Sequence, residues 1–292
     1  MFAIVGAAGK VGYATASALR EAGQPVRAIL RDPAKAARLG GIGCETTLAD
    51  LQDTAALAAA LAGAEAAQIV LPVAPQAQDT IPDMERSIES LATALEQARP
   101  KQVLAISDYG AHVAADIGMP SMFRRFEERL RRLDSRKLFL RSAEHMQGWV
   151  RAIPGAIASG TLRSFHDPVD KALPMIAAPD LGRIAADLWL RPATGMEVEI
   201  IHAEGPRRYS PNDVAAALSQ ILGRLIEAQA VPRSQRRDIL ERIISASAAE
   251  LLFKLYDAHA AGRLIEIEPD AGEVRHGWTE LVDALRPLVP PR

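Results

Sequence analysis

Along the first half of the chain, short apolar runs alternate with longer stretches of helical period. "FAIV" (2–5), "VRAIL" (26–30), "AQIVL" (67–71) and "QVLAIS" (102–107) are each dominated by apolar residues. Strands covered on both faces read as continuous runs of this kind, whereas half-exposed strands alternate. Between the runs, "DTAALAAALAGA" and "TIPDMERSIESLATALEQARP" repeat apolar residues at helical spacing. Pro82 suits a first helical turn, where a missing N–H costs nothing, and Pro100 closes the same helix. The alternation predicts an α/β fold: a doubly wound parallel sheet with helices on both faces.

From about residue 141 the texture changes. "GWVRAIPGAIASGTLRSFHDP" has no clear period and several turn formers, and the helix "APDLGRIAADLWL" and a strand "EVEIIH" follow. A capped helix comes next in "SPNDVAAALSQILG", with Ser210 as N-cap, Pro211 at the first helical position and Gly223 at the end. After Pro232 the chain reads as mostly helical up to "WTELVDALRPL". The expected division is a dinucleotide-binding domain over 1–150 and a smaller, mostly α lobe over 151–292, with the chain crossing back to the sheet.

Composition narrows the class. The 292 residues are 49% hydrophobic and 24% charged with a net charge of −2, enough for a sizeable core and without the basic excess of a nucleic-acid binder. Cys44 is the only cysteine, so no intramolecular disulfide forms and no cysteine-rich metal site exists. None of the six histidines has a metal-binding spacing. The greasiest segment, around 55–73, is broken by Glu65, Gln68 and Pro72 and is too weak to span a bilayer, and no signal-peptide pattern opens the chain. A cytoplasmic protein is expected. The densest basic block, "RRFEERLRRLDSRK", is diluted by acids and reads as an exposed helix, with Glu128 and Arg132 spaced to pair.

The candidate chemistry starts at "VGAAGKVG". Gly6 permits a tight exit from the first strand. Gly9 lets the backbone approach a pyrophosphate, and Gly12 lets helix and strand pack closely. Ala8, Lys10 and Val11 complete the turn and open the helix, whose N-terminus points free N–H groups and a positive dipole end at an anion. The alternative is a small-residue turn with packing glycines. At the end of the second strand stands Arg31 rather than an acid, with Lys35 beyond it; a cation here accommodates a 2′-phosphate, so NADP(H) is preferred and NAD(H) is the alternative. Arg31 also fits a plain surface position before Asp32, a helix N-cap.

With "FAIVGAAGKVG", "VRAILRDPAKA", "LADLQDTAALAAALAGAEAAQIVLP", "QVLAISDYGAH" and "EGPRRYSPNDVAAALSQILGRLIE" in view, the chain resembles the NmrA-like branch of the atypical short-chain dehydrogenase/reductases over Met1 to about Glu227. The resemblance implies an NADP-binding Rossmann domain and a small C-terminal domain forming a cleft. It also implies that Asp50 and Leu51 lie near the adenine, that Leu71, Pro72 and Val73 border the adenine-ribose side, and that Ser107 faces the nicotinamide region.

The tyrosine and lysine four residues apart that serve many reductases of this superfamily are absent: Tyr13, Tyr109, Tyr209 and Tyr256 are followed at that distance by Ser17, Val113, Asp213 and Ala260. No lysine stands between Lys101 and Lys137, so the lysine used by some members of the branch is missing too. Ser107, Asp108, Tyr109, His112 and His145 remain. Tyr109 is either a lone proton-donating phenol or a lid aromatic, and His145 either a proton donor or a satisfied loop histidine. Two functions stay open: an NADPH-dependent reductase of a small carbonyl, quinone or similarly conjugated acceptor, or a non-catalytic NADP(H) sensor acting through a protein partner. A quinone needs little acid help, so the missing pair does not exclude the first.

Overall fold

The computed structural model describes residues 1–192, 194–262, 265–268 and 271–291. The apolar runs become strands and the periodic stretches helices: β1 (Phe2–Val5), α1 (Lys10–Glu21), β2 (Val26–Leu30), α2 (Ala36–Gly40), β3 (Glu45–Leu48), α3 (Thr54–Leu61), β4 (Ala66–Val70), α4 (Thr80–Ala98), β5 (Gln102–Asp108), α5 (Met119–Leu130) and β6 (Arg136–Ser142). Beyond them come β7 (Glu144–His145), α6 (Ile153–Ser159), β8 (Thr161–Ser164), β9 (Met175–Ile176), α7 (Ala178–Leu190) and β10 (Val198–Glu204). The chain ends with α8 (Pro211–Leu222), β11 (Glu227–Ala230), α9 (Arg233–Glu241), α10 (Ala246–Ala261), β12 (Glu273–His276) and α11 (Leu281–Leu285).

Eight strands form one sheet in the order β12-β10-β6-β5-β4-β1-β2-β3, every pair parallel. The chain winds outward from β1 to β3, then restarts on the other side of β1 with β4. That reversal is the topological switch point at which open α/β sheets bind ligands. Side chains alternate between the two faces. Ala3 and Val5 join Leu57, Leu91 and Phe126 under α3, α4 and α5, while Ile4 joins Ala16, Leu19 and Ala186 under α1 and α7. Helix α7 lies tightly on α1, because Gly182 sits where a Cβ would stand 2.4 Å from the Val11 carbonyl oxygen.

The sheet draws strands from both sides of residue 150. β10 pairs with β6, and β12 pairs with β10 in the register Ile201↔Glu273. The stretch after Pro232, expected to be mostly helical, is interrupted by β12, whose four residues give no periodic signal of their own. Helix α8 begins on a full capping box, with the Ser210 side chain accepting from Asp213 N–H and the Asp213 carboxylate from Ser210 N–H, and it ends at Gly223 in the left-handed conformation. On α5, Glu128 pairs back to Arg124 at 3.8 Å rather than forward to Arg132.

A further core cluster draws only on residues beyond 145. Trp149, Ile153, Leu162, Met175, Tyr209, Leu218 and Leu285 bury one another between α6, β8, β9, α8 and α11. No described helix is long and apolar enough to cross a membrane.

Candidate functional site

Because all eight strands run the same way, every strand-to-helix connection from β1 to β6 opens at one edge. This brings together residues far apart in sequence: the Gly6–Gly12 turn after β1, Arg31 after β2, Asp50 and Leu51 after β3, Leu71, Pro72 and Val73 after β4, Asp108 at the end of β5, and Glu144 and His145 just past β6.

The glycine turn has the shape that a pyrophosphate needs. Gly6 has φ +80°, and a Cβ there would meet the Val70 carbonyl oxygen at 2.9 Å. Gly12 lies against the turn, with a Cβ position 2.5 Å from the Gly6 oxygen. At Gly9 the nearest atom to an added Cβ is 3.4 Å away, so this side of the turn is open. Gly9 is the N-cap of α1; no side chain caps the helix and no acid sits in its first turn. The first-turn N–H groups and the exposed Lys10 are thus left for an anion, while Ala8 is half-buried and Val11 is buried under α7. These residues fit a dinucleotide.

The other expected contacts divide. Arg31 is exposed and has no hydrogen-bond or ion-pair partner among the described residues, whereas Lys35 sits 3.9 Å from Asp32. Asp50 is exposed and accepts the Gln52 N–H, while Leu51 packs partly against the core. Leu71 turns into the core, leaving Pro72 exposed and Val73 half-buried at the edge.

Ser107 turns inward: it is buried, and its hydroxyl donates to Glu127 at 2.6 Å. Glu127 is in turn gripped by Arg141 through two N–H groups at 2.8 and 2.9 Å, and Arg141 reaches on to Glu268, which also faces His112 and His202 at 3.3 Å. Tyr109 is likewise not a cleft phenol. It is 2% exposed, packs edge-on against His202, and its hydroxyl donates to Glu204, which Arg208 also holds. Burial and that carboxylate push the Tyr109 pKa well up, so the proton stays.

His145 does stand at the edge. It is half-buried and its ring makes no hydrogen bond among the described residues. Burial, with a further push from Lys10 against the pull of Glu144, lowers its pKa to about 4. The ring is therefore neutral at neutral pH, which corrects the expectation of a donor titrating near working pH. Asp108 moves the other way: burial, aided by Glu144 and Glu127 and opposed by the Gly110 N–H and Arg141, raises it to about 6.

Past β7 lies a cavity of about 320 Å³, lined by Glu144, Trp149, Phe165, His166, Leu252 and Tyr256 among others. Phe165 and Tyr256 are stacked with centroids 5.3 Å apart, and His166 stands edge-on to Tyr256 at 5.0 Å. His166 Nε2 lies 2.9 Å from Glu144 Oε2. The volume and apolar lining suit one small planar ligand. Glu144, His166 and Tyr256 carry no motif spacing and come from β7, the loop after β8, and α10; only the fold reveals them.

Acid should destabilise the protein. His145 and His259 both have folded-state pKa values near 4, His259 through burial and its neighbour His166, against about 6.5 in an unfolded chain. Below pH 6.5 the unfolded chain binds the extra protons, so stability is present above that value and is lost as pH falls toward 4. Asp108, raised to about 6, opposes this with one group against two. The melting temperature is expected to drop between pH 7 and pH 5, and to drop less in the His145→Gln/His259→Gln double variant. An unchanged melting temperature across that window would contradict the assignment.

Residues 6–143 match the family described as NAD(P)H-binding. The chain around this NAD(P)H-binding domain is similar to an NAD(P)H azoreductase of Xenophilus azovorans, 26% identical over 258 residues, 88% of this chain and 86% of that one. In fold it is similar to an NADPH-dependent quinone oxidoreductase of Escherichia coli (TM-score 0.76, 21% identity, 99% of each chain). It is also similar to a Citrobacter triphenylmethane reductase solved with NADP(H) (TM-score 0.80, 17% identity, 99% of this chain and 100% of that one).

Proposed function

We propose that the protein is an NADPH-dependent reductase of a planar, conjugated acceptor, quinone-like or azo. The observation that carries this is the aromatic-walled cavity of about 320 Å³ opening beside β7, on the same sheet edge as the glycine turn. The azoreductase relative and the quinone and dye reductases of similar fold point to the same class of acceptor. The cavity also favours turnover over the sensor reading, since a sensor needs no second binding space beside the dinucleotide.

When bound, NADPH supplies a hydride. The Gly6–Gly12 turn and the N-terminus of α1 would hold its pyrophosphate, and Arg31 its 2′-phosphate. Trp149, Phe165 and Tyr256 orient a flat acceptor by stacking and exclude water from it. Purified protein should oxidise NADPH, followed at the nicotinamide absorbance band, only when a quinone or azo dye is added. NADPH binding without turnover of either acceptor would overturn the proposal.

Arg31 tests cofactor preference separately. A charge-assisted contact to the extra phosphate is worth about 1.5–3 kcal/mol. Arg31→Ala should therefore weaken NADPH binding by about tenfold or more and leave NADH binding nearly unchanged. Equal losses for the two cofactors would show that Arg31 does not read the phosphate.

A further inference from the structure

The acceptor cavity contains a hydrogen-bonded acid pair that no reductase motif announces. Hydride addition to an azo bond leaves a nitrogen that must take a proton, and the usual tyrosine and lysine are absent. Tyr109 and Ser107 are turned inward onto Glu204 and Glu127. Among the described residues lining the cavity, the side chains with a proton to give are Trp149, Arg151, Arg163, His166, Tyr256, Ser159 and Thr161. Guanidinium groups keep their protons, and indole N–H and aliphatic hydroxyl groups are very weak acids. Burial, reinforced by Glu144, raises the Tyr256 pKa, so its phenol holds its proton as well. His166 is the one imidazole in this set, the side-chain type used most often to hand on a proton in catalysis.

We propose that His166, oriented by Glu144, is the acid that protonates the reduced acceptor in this cavity. The inference rests on the reductase reading above. His166 is 4% exposed, and its Nε2 is engaged by Glu144 at 2.9 Å, while Nδ1 is buried with no hydrogen-bond partner among the described residues. A carboxylate on one ring nitrogen fixes the orientation of the ring and leaves the other nitrogen to pass on a proton. Burial works against the charge of Glu144, but His166, together with His259 and His145 beyond it, holds the carboxyl below its ordinary range. The ring is pinned further by Trp149, Tyr256 and His259, at centroid distances of 6.0, 5.0 and 5.0 Å, and its backbone by Ser164, whose hydroxyl donates to the His166 carbonyl and accepts its N–H.

The step balances. One azo nitrogen of the acceptor takes the hydride and becomes N–H, and the π pair of the N=N bond moves to the second nitrogen. That nitrogen takes the Nδ1 proton of the His166 imidazolium. The products are a hydrazo compound, the oxidised cofactor and a neutral imidazole whose Nε2–H remains on Glu144; solvent returns the proton.

The test compares two acceptors. An azo dye needs both hydride and proton, whereas a triarylmethyl cation is neutralised by hydride alone. His166→Asn should lower kcat for the azo dye by about 100-fold, the usual scale of general acid catalysis, and leave kcat for the cation within about threefold. KM for both acceptors and NADPH affinity should stay near wild type. Glu144→Gln, which removes a positioning residue, should show the same selective loss to a smaller degree, and it carries the comparison if His166→Asn no longer binds NADPH. A readout without turnover comes from an aminoazobenzene dye bound to the cofactor-free protein. Its absorbance band should shift to the red as an azo nitrogen accepts a hydrogen bond from His166, and His166→Asn should abolish that shift.

A wild-type protein that binds NADPH but reduces no acceptor would overturn the reductase reading and this inference with it. Turnover of the cation but of neither azo dye nor quinone would overturn the role of His166, because the acid would have no acceptor to serve. So would equal slowing of both acceptors, slowing of neither, or dye bound without the spectral shift.

Discussion

Gly12→Val is expected to abolish NADPH binding and to destabilise the protein by about 3 kcal/mol, the upper range for overpacking a tight site. The Cβ alone would stand 2.5 Å from the Gly6 carbonyl oxygen and 2.8 Å from the Ala7 Cα. Both obstacles are backbone, so neither can swing aside as a side chain would. Relief requires α1 to move off the turn, and α1 is clamped from behind by α7 at Gly182. A loss of that size lowers the melting temperature by about 5 °C in a chain of this length. Gly9→Ala separates binding from folding. Its Cβ approaches nothing closer than 3.4 Å, so the variant should melt near wild type, yet the methyl group occupies the open side of the turn. Losing one or two charge-assisted N–H contacts to a pyrophosphate should weaken NADPH binding by about tenfold or more. Calorimetric titration and thermal melts of the two variants decide the matter. Wild-type affinity in Gly9→Ala would mean that the pyrophosphate lies elsewhere.

Arg141→Met is expected to cost about 3–5 kcal/mol, the penalty for leaving a buried partner charge alone. The side chains of Arg141 and Glu127 are 4% and 3% exposed and share two hydrogen bonds. Without Arg141, Glu127 keeps the Ser107 hydroxyl and the outlying Arg131 at 3.7 Å, too little to hold an ionised carboxylate away from water. Removing both charges is a different matter, because apolar residues of similar volume often replace a buried ion pair without loss. The Arg141→Met/Glu127→Met double variant should therefore recover most of the stability. Urea denaturation midpoints measure all three differences. A single variant within about 1 kcal/mol of wild type would show that the pair contributes little.

Much of the dinucleotide half was legible because its signals are local. A continuous apolar run, a glycine at the strand exit and a helix-forming stretch lie within a dozen residues, and each carries its own physical reason. The capping box at Ser210 was legible for the same reason, since a cap and its partner are three residues apart. β12 was not: its four residues become a strand only because β10 offers an open edge. Nor were the fates of Ser107 and Tyr109. From the sequence both stand at the end of β5, and nothing near them reveals that Glu127 and Glu204, 20 and 95 residues away, claim their hydroxyls.

The sequence by itself determined the fold class and singled out candidate residues for the dinucleotide and its 2′-phosphate, all of which rest on residues near one another in the chain. Tertiary structure alone decided the acceptor side. Burial set the charge states of His145, Asp108 and Tyr109, and packing brought Glu144, His166 and Tyr256 to one cavity across more than 100 residues. Desolvation and side-chain pairing depend on what surrounds a group in space, and no spacing along a chain encodes them.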